Sequence, residues 1–372
     1  MSSILHLIET GGPGGAEKVF LEIASRLQVD GLRNELAIGR DGGWLANEAR
    51  GRGLPVEIVP AQGSLSVGYL RRLLELIRRR DVRVVIAHLF GAGVYGSLAG
   101  LLARVPVITV LHGQSDIASD ERFAAAKRWI LAKGSRRVVF VSQALQTHLQ
   151  GRLELPQGKA TVIENGIDTA FLTPSGDRSV RAELGITDDT FLIGAVGNVR
   201  RAKGYETLLR SAQIVCAQHP QVRFVVAGDT SGEVFPQLEQ LRDSLNLSDR
   251  VRFLGLRSDV GRVLAALDLY VLSSDTEGFS LSLVEAMASA RGIVATRSGG
   301  PETLLADGHT GVLVPPRDPP ALAHAILALI EDEPRRERLA AAARTAVTER
   351  FDSARMVGEY ARLVNAVTQY RT

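Results

Sequence analysis

The sequence predicts an α/β protein built as two doubly wound domains, and three observations carry that prediction. Short apolar runs rich in Val, Ile and Leu alternate with segments of helical periodicity along most of the chain. The alternation pauses once, near residue 170, and then restarts. At 372 residues with 45% apolar content, the chain is long enough for two domains with a core each. The expected division is 1–170, 171–350 and a closing helix over 351–372.

Ile4–Ile8 is the first predicted strand. Thr10-Gly11-Gly12-Pro13-Gly14-Gly15-Ala16-Glu17 follows as a glycine loop, and Val19, Phe20, Ile23, Ala24 and Leu27 mark the inner face of a helix. Strand, glycine loop and helix open a Rossmann-like unit. As a dinucleotide fingerprint the loop fails, because Glu17 stands where a third glycine is required. Small residues at Gly14 and Gly15 still let a ligand approach the backbone, and a plain tight turn is the alternative.

Strands are expected at Glu35–Ile38 and Val56–Val59, then a helix near 67–80 with Leu70, Leu73, Leu74 and Ile77 on its apolar face. Arg71, Arg72, Arg78, Arg79 and Arg80 crowd the remainder. They fit either a solvated face or a patch for anionic lipid. Val84–Ala103 contains no Asp, Glu, Lys or Arg over twenty positions, which by length alone nominates a transmembrane helix. Glycines punctuate it, however, and a strand followed by a helix, buried on both faces, explains the run equally. Val107–Leu111 is the next strand, closed by His112-Gly113 at the end where doubly wound sheets place their sites. By position alone His112 is more often a structural histidine; the resemblance described below is what makes it the main candidate of the first half. Arg137–Ser142 supplies another strand, and Asn165-Gly166 turns the chain toward the boundary.

In the second half, Phe191–Gly197 is a strand leading into Asn198-Val199-Arg200-Arg201-Ala202-Lys203-Gly204. Three cations beside a strand end favour an anionic partner over simple solvation. Val222–Ala227 and Val251–Gly255 continue the alternation. Leu269–Leu272 is the strand before the most informative stretch, Glu277-Gly278-Phe279-Ser280-Leu281-Ser282-Leu283-Val284-Glu285-Ala286-Met287-Ala288. Ser280 suits an N-cap, and the N–H groups of Ser282 and Leu283 would then face the strand ends with the positive pole of a helix. That is an anion site of the diphosphate-holding kind. Glu277 and Glu285 suit sugar and ribose hydroxyls; two surface glutamates flanking an ordinary βα unit are the alternative.

The Glu-Gly-Phe, the seven intervening residues between the glutamates, and Glu-Ala-Met-Ala resemble the donor-binding signature of the retaining glycosyltransferases of family four, which have the GT-B fold. Ser298-Gly299-Gly300-Pro301-Glu302 and Asp307-Gly308, followed by Gly311 and Leu313-Val314-Pro315-Pro316, also match. Ala290 and Gly292 depart from the family's usual Gly and Pro. The resemblance implies two Rossmann-like domains facing across a cleft, with the first glutamate on the donor sugar and the second on the ribose. It carries Gly14 and Gly15 toward the donor's phosphates and sugar, places His112 near donor sugar and acceptor, and sets Lys203 on the diphosphate. Asn198 occupies the family's arginine position, so Arg200 or Arg201 is expected to substitute. Leu256-Arg257 occupies the segment that grips the nucleobase through its main chain. Catalysis is thus expected from His112, Lys203, Arg200 and Glu277. Donor binding is expected from Gly14, Gly15, Arg201, Leu256, Arg257, Gly278, Phe279, Ser280, Leu281 and Glu285, with no metal and no other cofactor.

Charge is unevenly divided. Residues 1–170 carry 21 Lys and Arg against 16 Asp and Glu, a balance of +5; residues 171–372 carry 23 against 25, a balance of −2. A basic first half suits a phosphate-bearing acceptor or the cytoplasmic face of a membrane, and the absence of aromatic-basic interleaving argues against nucleic acid. The single cysteine, Cys216, precludes an internal disulfide and fits the cytoplasm. The opening residues read as a strand and not as a signal peptide. The resulting expectation is a cytoplasmic enzyme, peripheral on the inner membrane, that moves a sugar from a nucleotide sugar to a sugar or lipid-linked acceptor in cell-surface polysaccharide or glycolipid synthesis. Two rivals are a sugar-nucleotide epimerase of the same architecture and a non-catalytic nucleotide-sugar-binding protein.

Overall fold

The computed structural model describes residues 2–40, 42–60, 66–113, 123–170, 172, 177 and 179–369. The chain divides into two compact units, Met1–Gly166 with Ser353–Thr372, and Ile167–Asp352. Ile167 and Asp352, the second unit's two ends, are bridge partners, and the Ile167 N–H donates to the Phe351 carbonyl at 2.9 Å.

In the first unit the order is β1 (Ser2–Ile8), α1 (Gly15–Arg26), β2 (Leu32–Ile38), α2 (Gly43–Gly51), β3 (Val56–Ile58), α3 (Val67–Arg79), β4 (Val82–His88), α4 (Phe90–Ala103), β5 (Val107–Leu111), α5 (Ala124–Gly134), β6 (Arg137–Phe140), α6 (Gln143–Leu153) and β7 (Ala160–Val162). The seven strands are parallel in the order β3-β2-β1-β4-β5-β6-β7. The order reverses direction between β1 and β4, so their C-terminal ends form a switch point, where ligands of such sheets bind.

The uncharged run at 84–103 resolves into most of β4 and all of α4. Gly93 and Gly100 let α4 lie against its neighbours, since a Cβ there would fall 2.6 Å from Thr109 Cγ2 and 2.3 Å from Val107 Cγ2. Among the described residues no helix is long and apolar enough to cross a membrane. The buried face of α3 is Tyr69, Leu73, Leu76 and Ile77, with Leu70 and Leu74 only half-buried. The expected face was therefore displaced by part of a turn, because Tyr69 packs edge-on against Tyr95 of α4 and draws its side of the helix inward.

The second unit runs α7 (Ser179–Leu184), β8 (Phe191–Val196), α8 (Tyr205–Gln218), β9 (Val222–Ala227), α9 (Phe235–Ser244), β10 (Val251–Gly255), α10 (Val260–Ala266), β11 (Leu269–Leu272), α11 (Leu281–Ala288), β12 (Gly292–Thr296), α12 (Pro301–Leu304), β13 (Val312–Val314), α13 (Pro319–Glu331) and α14 (Glu333–Arg350). Its sheet is parallel in the order β10-β9-β8-β11-β12-β13, which puts a second switch point between β8 and β11. Ala290 adopts φ +50°, the left-handed conformation that glycine takes without strain. The family's glycine at this place thus answers a backbone need that alanine meets at a cost.

The last helix, α15 (Ser353–Gln369), belongs to the first unit and buries Met356, Tyr360 and Val364 against α1 and β4. Cys216 lies half-buried against the second core, and burial pushes its thiol up to about 11. It is therefore protonated and unreactive at neutral pH.

Candidate active site

The second switch point is assembled by two loops fastened to each other. After β8, Gly204 takes φ +59° so that α8 can start, and a Cβ there would lie 2.1 Å from the Ser273 carbonyl oxygen. Ser273 Oγ donates to the Lys203 carbonyl at 3.0 Å, and the Asp275 N–H donates to the Ala202 carbonyl at 2.8 Å. Tyr205 donates its hydroxyl to the Gly197 carbonyl at 2.6 Å. These bonds join the loop leaving β8 to the loop leaving β11, and so bring together two residues 74 positions apart.

Those residues are Lys203 and Glu277. Lys203 Nζ lies 2.5 Å from Glu277 Oε1, with the lysine half-buried and the carboxylate more so. Ser274 Oγ donates to the same oxygen at 2.7 Å. The Glu277 backbone is pinned by its own N–H to the Ser298 carbonyl at 2.8 Å and by the Gly300 N–H to its carbonyl at 2.9 Å. A Cβ on Gly300 would approach Gly278 to 3.2 Å, which ties the Gly299-Gly300 segment to the Glu277-Gly278 turn.

Ser280 takes the N-cap position of α11 with extended backbone, but its side chain makes no capping bond. Its Oγ sits 3.4 Å from Ser282 Oγ, which receives the Tyr270 hydroxyl at 2.9 Å. The first turn of α11 is consequently without a side-chain cap at the strand ends. Phe279 is buried and packs edge-on against Phe351 at 5.8 Å, so its ring anchors the turn. Leu281 opens the helix, and Glu285 is buried one turn further along.

Arg200 and Arg201 are exposed on the loop after β8; their carbonyls accept the Lys203 and Gly204 N–H groups at 3.0 and 3.1 Å, and among the described residues neither guanidinium has a hydrogen-bond or ion-pair partner. Asn198 accepts the Asp229 N–H at 3.1 Å through Oδ1 and so fastens this loop to the one leaving β9. Leu256 is 54% exposed, whereas the Arg257 guanidinium is held by Glu183 at 2.5 Å and by Asp259 at 2.8 Å. Those carboxylates raise the Arg257 pKa and occupy its guanidinium.

In the first unit Gly14 is the N-cap of α1 and Gly15 its first residue. A Cβ on Gly14 would strike Glu17 Oε2 at 2.2 Å, so the buried Glu17 folds back over the loop. His112 follows β5, half-buried, with Nε2 2.9 Å from Nδ1 of His88 and the two rings stacked at 5.1 Å. Burial lowers the His112 pKa to about 3, so the ring is neutral at physiological pH. His88, at the end of β4, was not among the sequence candidates; a histidine inside a Val, Ile and Ala strand was the available signal. Ser274 was missed as well, since a serine in a turn has no distinguishing pattern.

Residues 13–171 match the model of Glycosyltransferase Family 4, and residues 177–346 match that of Glycosyl transferases group 1. A D-inositol 3-phosphate glycosyltransferase of Stackebrandtia nassauensis is 33% identical over 380 residues, covering 90% of this chain and 83% of the relative. The chain belongs to the family-four glycosyltransferases. An N-acetyl-alpha-D-glucosaminyl L-malate synthase of Bacillus anthracis is 30% identical over 69% of this chain and 67% of its own. Among solved structures, Anabaena Alr3699/HepE in complex with UDP-glucose superimposes with a TM-score of 0.86 at 26% identity, covering 98% of this chain and 99% of that one. The glycosyltransferase thus has the GT-B fold, with its two sheets of seven and six parallel strands as that fold requires.

Proposed function

We propose that this glycosyltransferase moves a sugar from a nucleotide-diphosphate donor to an acceptor hydroxyl with retention of anomeric configuration. The observation that carries the reading is the meeting of Lys203 and Glu277 at the second switch point, beside the start of α11. A cation and a helix N-terminus answer a diphosphate, and a carboxylate beside them accepts hydrogen bonds from sugar hydroxyls. Breaking the anomeric bond leaves charge on the departing phosphate. Lys203, Arg200 or Arg201, and the N–H groups of α11 stabilise it, and Glu285 takes the ribose. In this mechanism the leaving phosphate assists removal of the acceptor proton on the same face, and no metal is needed.

The UDP and UDP-glucose complexes of the Anabaena relative support a uridine donor as the first to test. The names of the inositol phosphate and malate relatives support a small anionic acceptor. A lipid-linked acceptor at an anionic membrane is the second reading, supported by Arg72 and Arg78 on α3. Its support is narrowed because Arg71 pairs with Glu75 at 3.0 Å, Arg79 with Glu57, and Arg80 with Glu35 at 3.7 Å.

The test is a donor screen followed by mass spectrometry with and without acceptors, in the presence and absence of chelator, with NMR of the product's anomeric centre. Product that forms only with acceptor, survives chelator and keeps the donor's configuration is expected. Conversion of donor without acceptor would indicate an epimerase, and inversion or a strict metal requirement would refute the mechanism.

A further inference from the structure

Three histidines lie in the first unit outside the charged site: His6 on β1 and His88 at the end of β4, both fully buried, and the half-buried His112 after β5. Phe20 of α1 packs edge-on against both His6, at 6.1 Å, and His88, at 5.2 Å. The hydrogen bonds around them determine where the protons sit.

Asn34 Nδ2 donates to the Leu27 carbonyl at 2.8 Å, which fixes the amide so that its Oδ1 faces His6 Nε2 at 2.9 Å. His6 must therefore carry its proton on Nε2, and its Nδ1 is a bare lone pair. Among the described residues the His88 side chain has one hydrogen bond, Nδ1 to His112 Nε2 at 2.9 Å. Its Nε2 is buried and, among the described residues, has no hydrogen-bond partner. A proton on that nitrogen would bury a donor without an acceptor, whereas a bare nitrogen there is the cheaper omission, since orphaned donors are rarer than under-used acceptors. Burial and the neighbouring rings keep His88 and His112 neutral, so between them one N–H is available for the shared bond.

We propose that His88 is a positioning residue: it donates from Nδ1 to His112 Nε2 and thereby locks His112 as the Nδ1–H tautomer. His112 then presents an N–H and not a lone pair toward its surroundings, a donor suited to a hydroxyl or carbonyl oxygen. Its Nε2 is occupied, so it is not a general base. The relevance to sugar transfer rests on the reading of His112 as a site residue, but the tautomer does not.

The experiment is a long-range proton–nitrogen NMR spectrum of the full chain labelled at histidine, recorded between pH 6 and 8. A single neutral Nδ1–H form for His112 is expected. An Nε2–H form, or an averaged mixture, would overturn the proposal. His88→Phe keeps a ring without a donor, and should scramble the His112 tautomer and lower kcat about tenfold with KM for the donor little changed. His88→Asn restores a side-chain N–H and should recover the single tautomer and most of kcat. If His88→Phe leaves the tautomer unchanged, His88 does not position His112. If it scrambles the tautomer while kcat stays at the parent value, the positioning stands and the assignment of His112 to the active site fails.

Discussion

Both units wind the same kind of sheet and open a switch point at the strand ends, yet they furnish it with opposite chemistry. In the second unit the loops leaving β8 and β11 present Lys203, Arg200, Arg201 and Glu277, all groups that carry charge at neutral pH. In the first unit the strand ends of β1, β4 and β5 present glycines and imidazoles that burial keeps neutral. Charge is needed where a phosphate departs. On the proposed reading, neutral donors and close backbone suit hydroxyls.

The largest expected effect breaks the comparison by charging the neutral side. Burial lowers His6 to about 4 and His112 to about 3, against about 6.5 in the unfolded chain. Below about pH 6.5 the unfolded chain takes up protons that these folded imidazoles refuse, so their depressed values cost nothing above that pH. The loss then grows as pH falls toward the folded values. At pH 5 it reaches about 2 kcal/mol for each of the two, and His88 acts in the same direction. Urea melts at pH 7.5 and 5 measure the loss, and His6→Gln should remove about a third to a half of it. A stability that is flat over this interval would mean that the imidazoles are not sheltered.

Removing charge from the other side should be felt next. Lys203→Ala is expected to lower turnover by about 2–4 kcal/mol in transition-state energy, the scale of losing one preorganised charge donor. Single-turnover kinetics give the number; a loss under threefold would mean that Arg200 or Arg201 holds the phosphate instead.

A subtler change separates the partners of the ion pair. Lys203 and Glu277 neutralise each other, so on the proposed reading a diphosphate competes with the carboxylate for the lysine. Glu277→Gln should tighten binding of bare nucleotide diphosphate about tenfold, on the scale of one charge-assisted contact, while weakening the sugar-bearing donor. Calorimetry with both ligands decides, and parallel losses for both would end the division of roles.

Smallest is the membrane arm. Reversing Arg72 and Arg78 should cost about 1 kcal/mol each in binding to anionic vesicles and leave donor binding intact. If the parent chain does not sediment with such vesicles at low salt, these arginines belong to a solvated face.

Much of this contrast was legible in the residues. Val107–Leu111 and Leu269–Leu272 coincide with observed strands because strands buried on both faces leave unbroken apolar runs, and Val222–Ala227 and Val251–Gly255 coincide as well, each keeping its apolar residues around a single arginine. Lys203 and Glu277 could each be nominated from a strand end and a turn. Their 2.5 Å contact could not, because it depends on Ala202, Ser273 and Asp275 fastening two loops distant in sequence. The face of α3 was misplaced since four leucines at adjoining positions offer two equally apolar stripes, and only Tyr95 of a neighbouring helix selects between them. His88 was overlooked because one polar residue does not disturb a strand pattern, and its meaning comes from the ring stacked upon it.

The return of α15 to the first unit has a consequence for how the protein is made. A ribosome releases residues 1–166 long before Ser353–Gln369, yet Met356, Tyr360 and Val364 complete the core that α1 and β4 begin. The second unit is continuous from Ile167 to Asp352 and needs no segment from elsewhere in the chain. The first must wait with an apolar flank uncovered, although its strands emerge earlier. Nascent chains arrested before residue 353 should therefore be the ones that chaperones retain, and the first half of the chain to be translated is completed by its last segment.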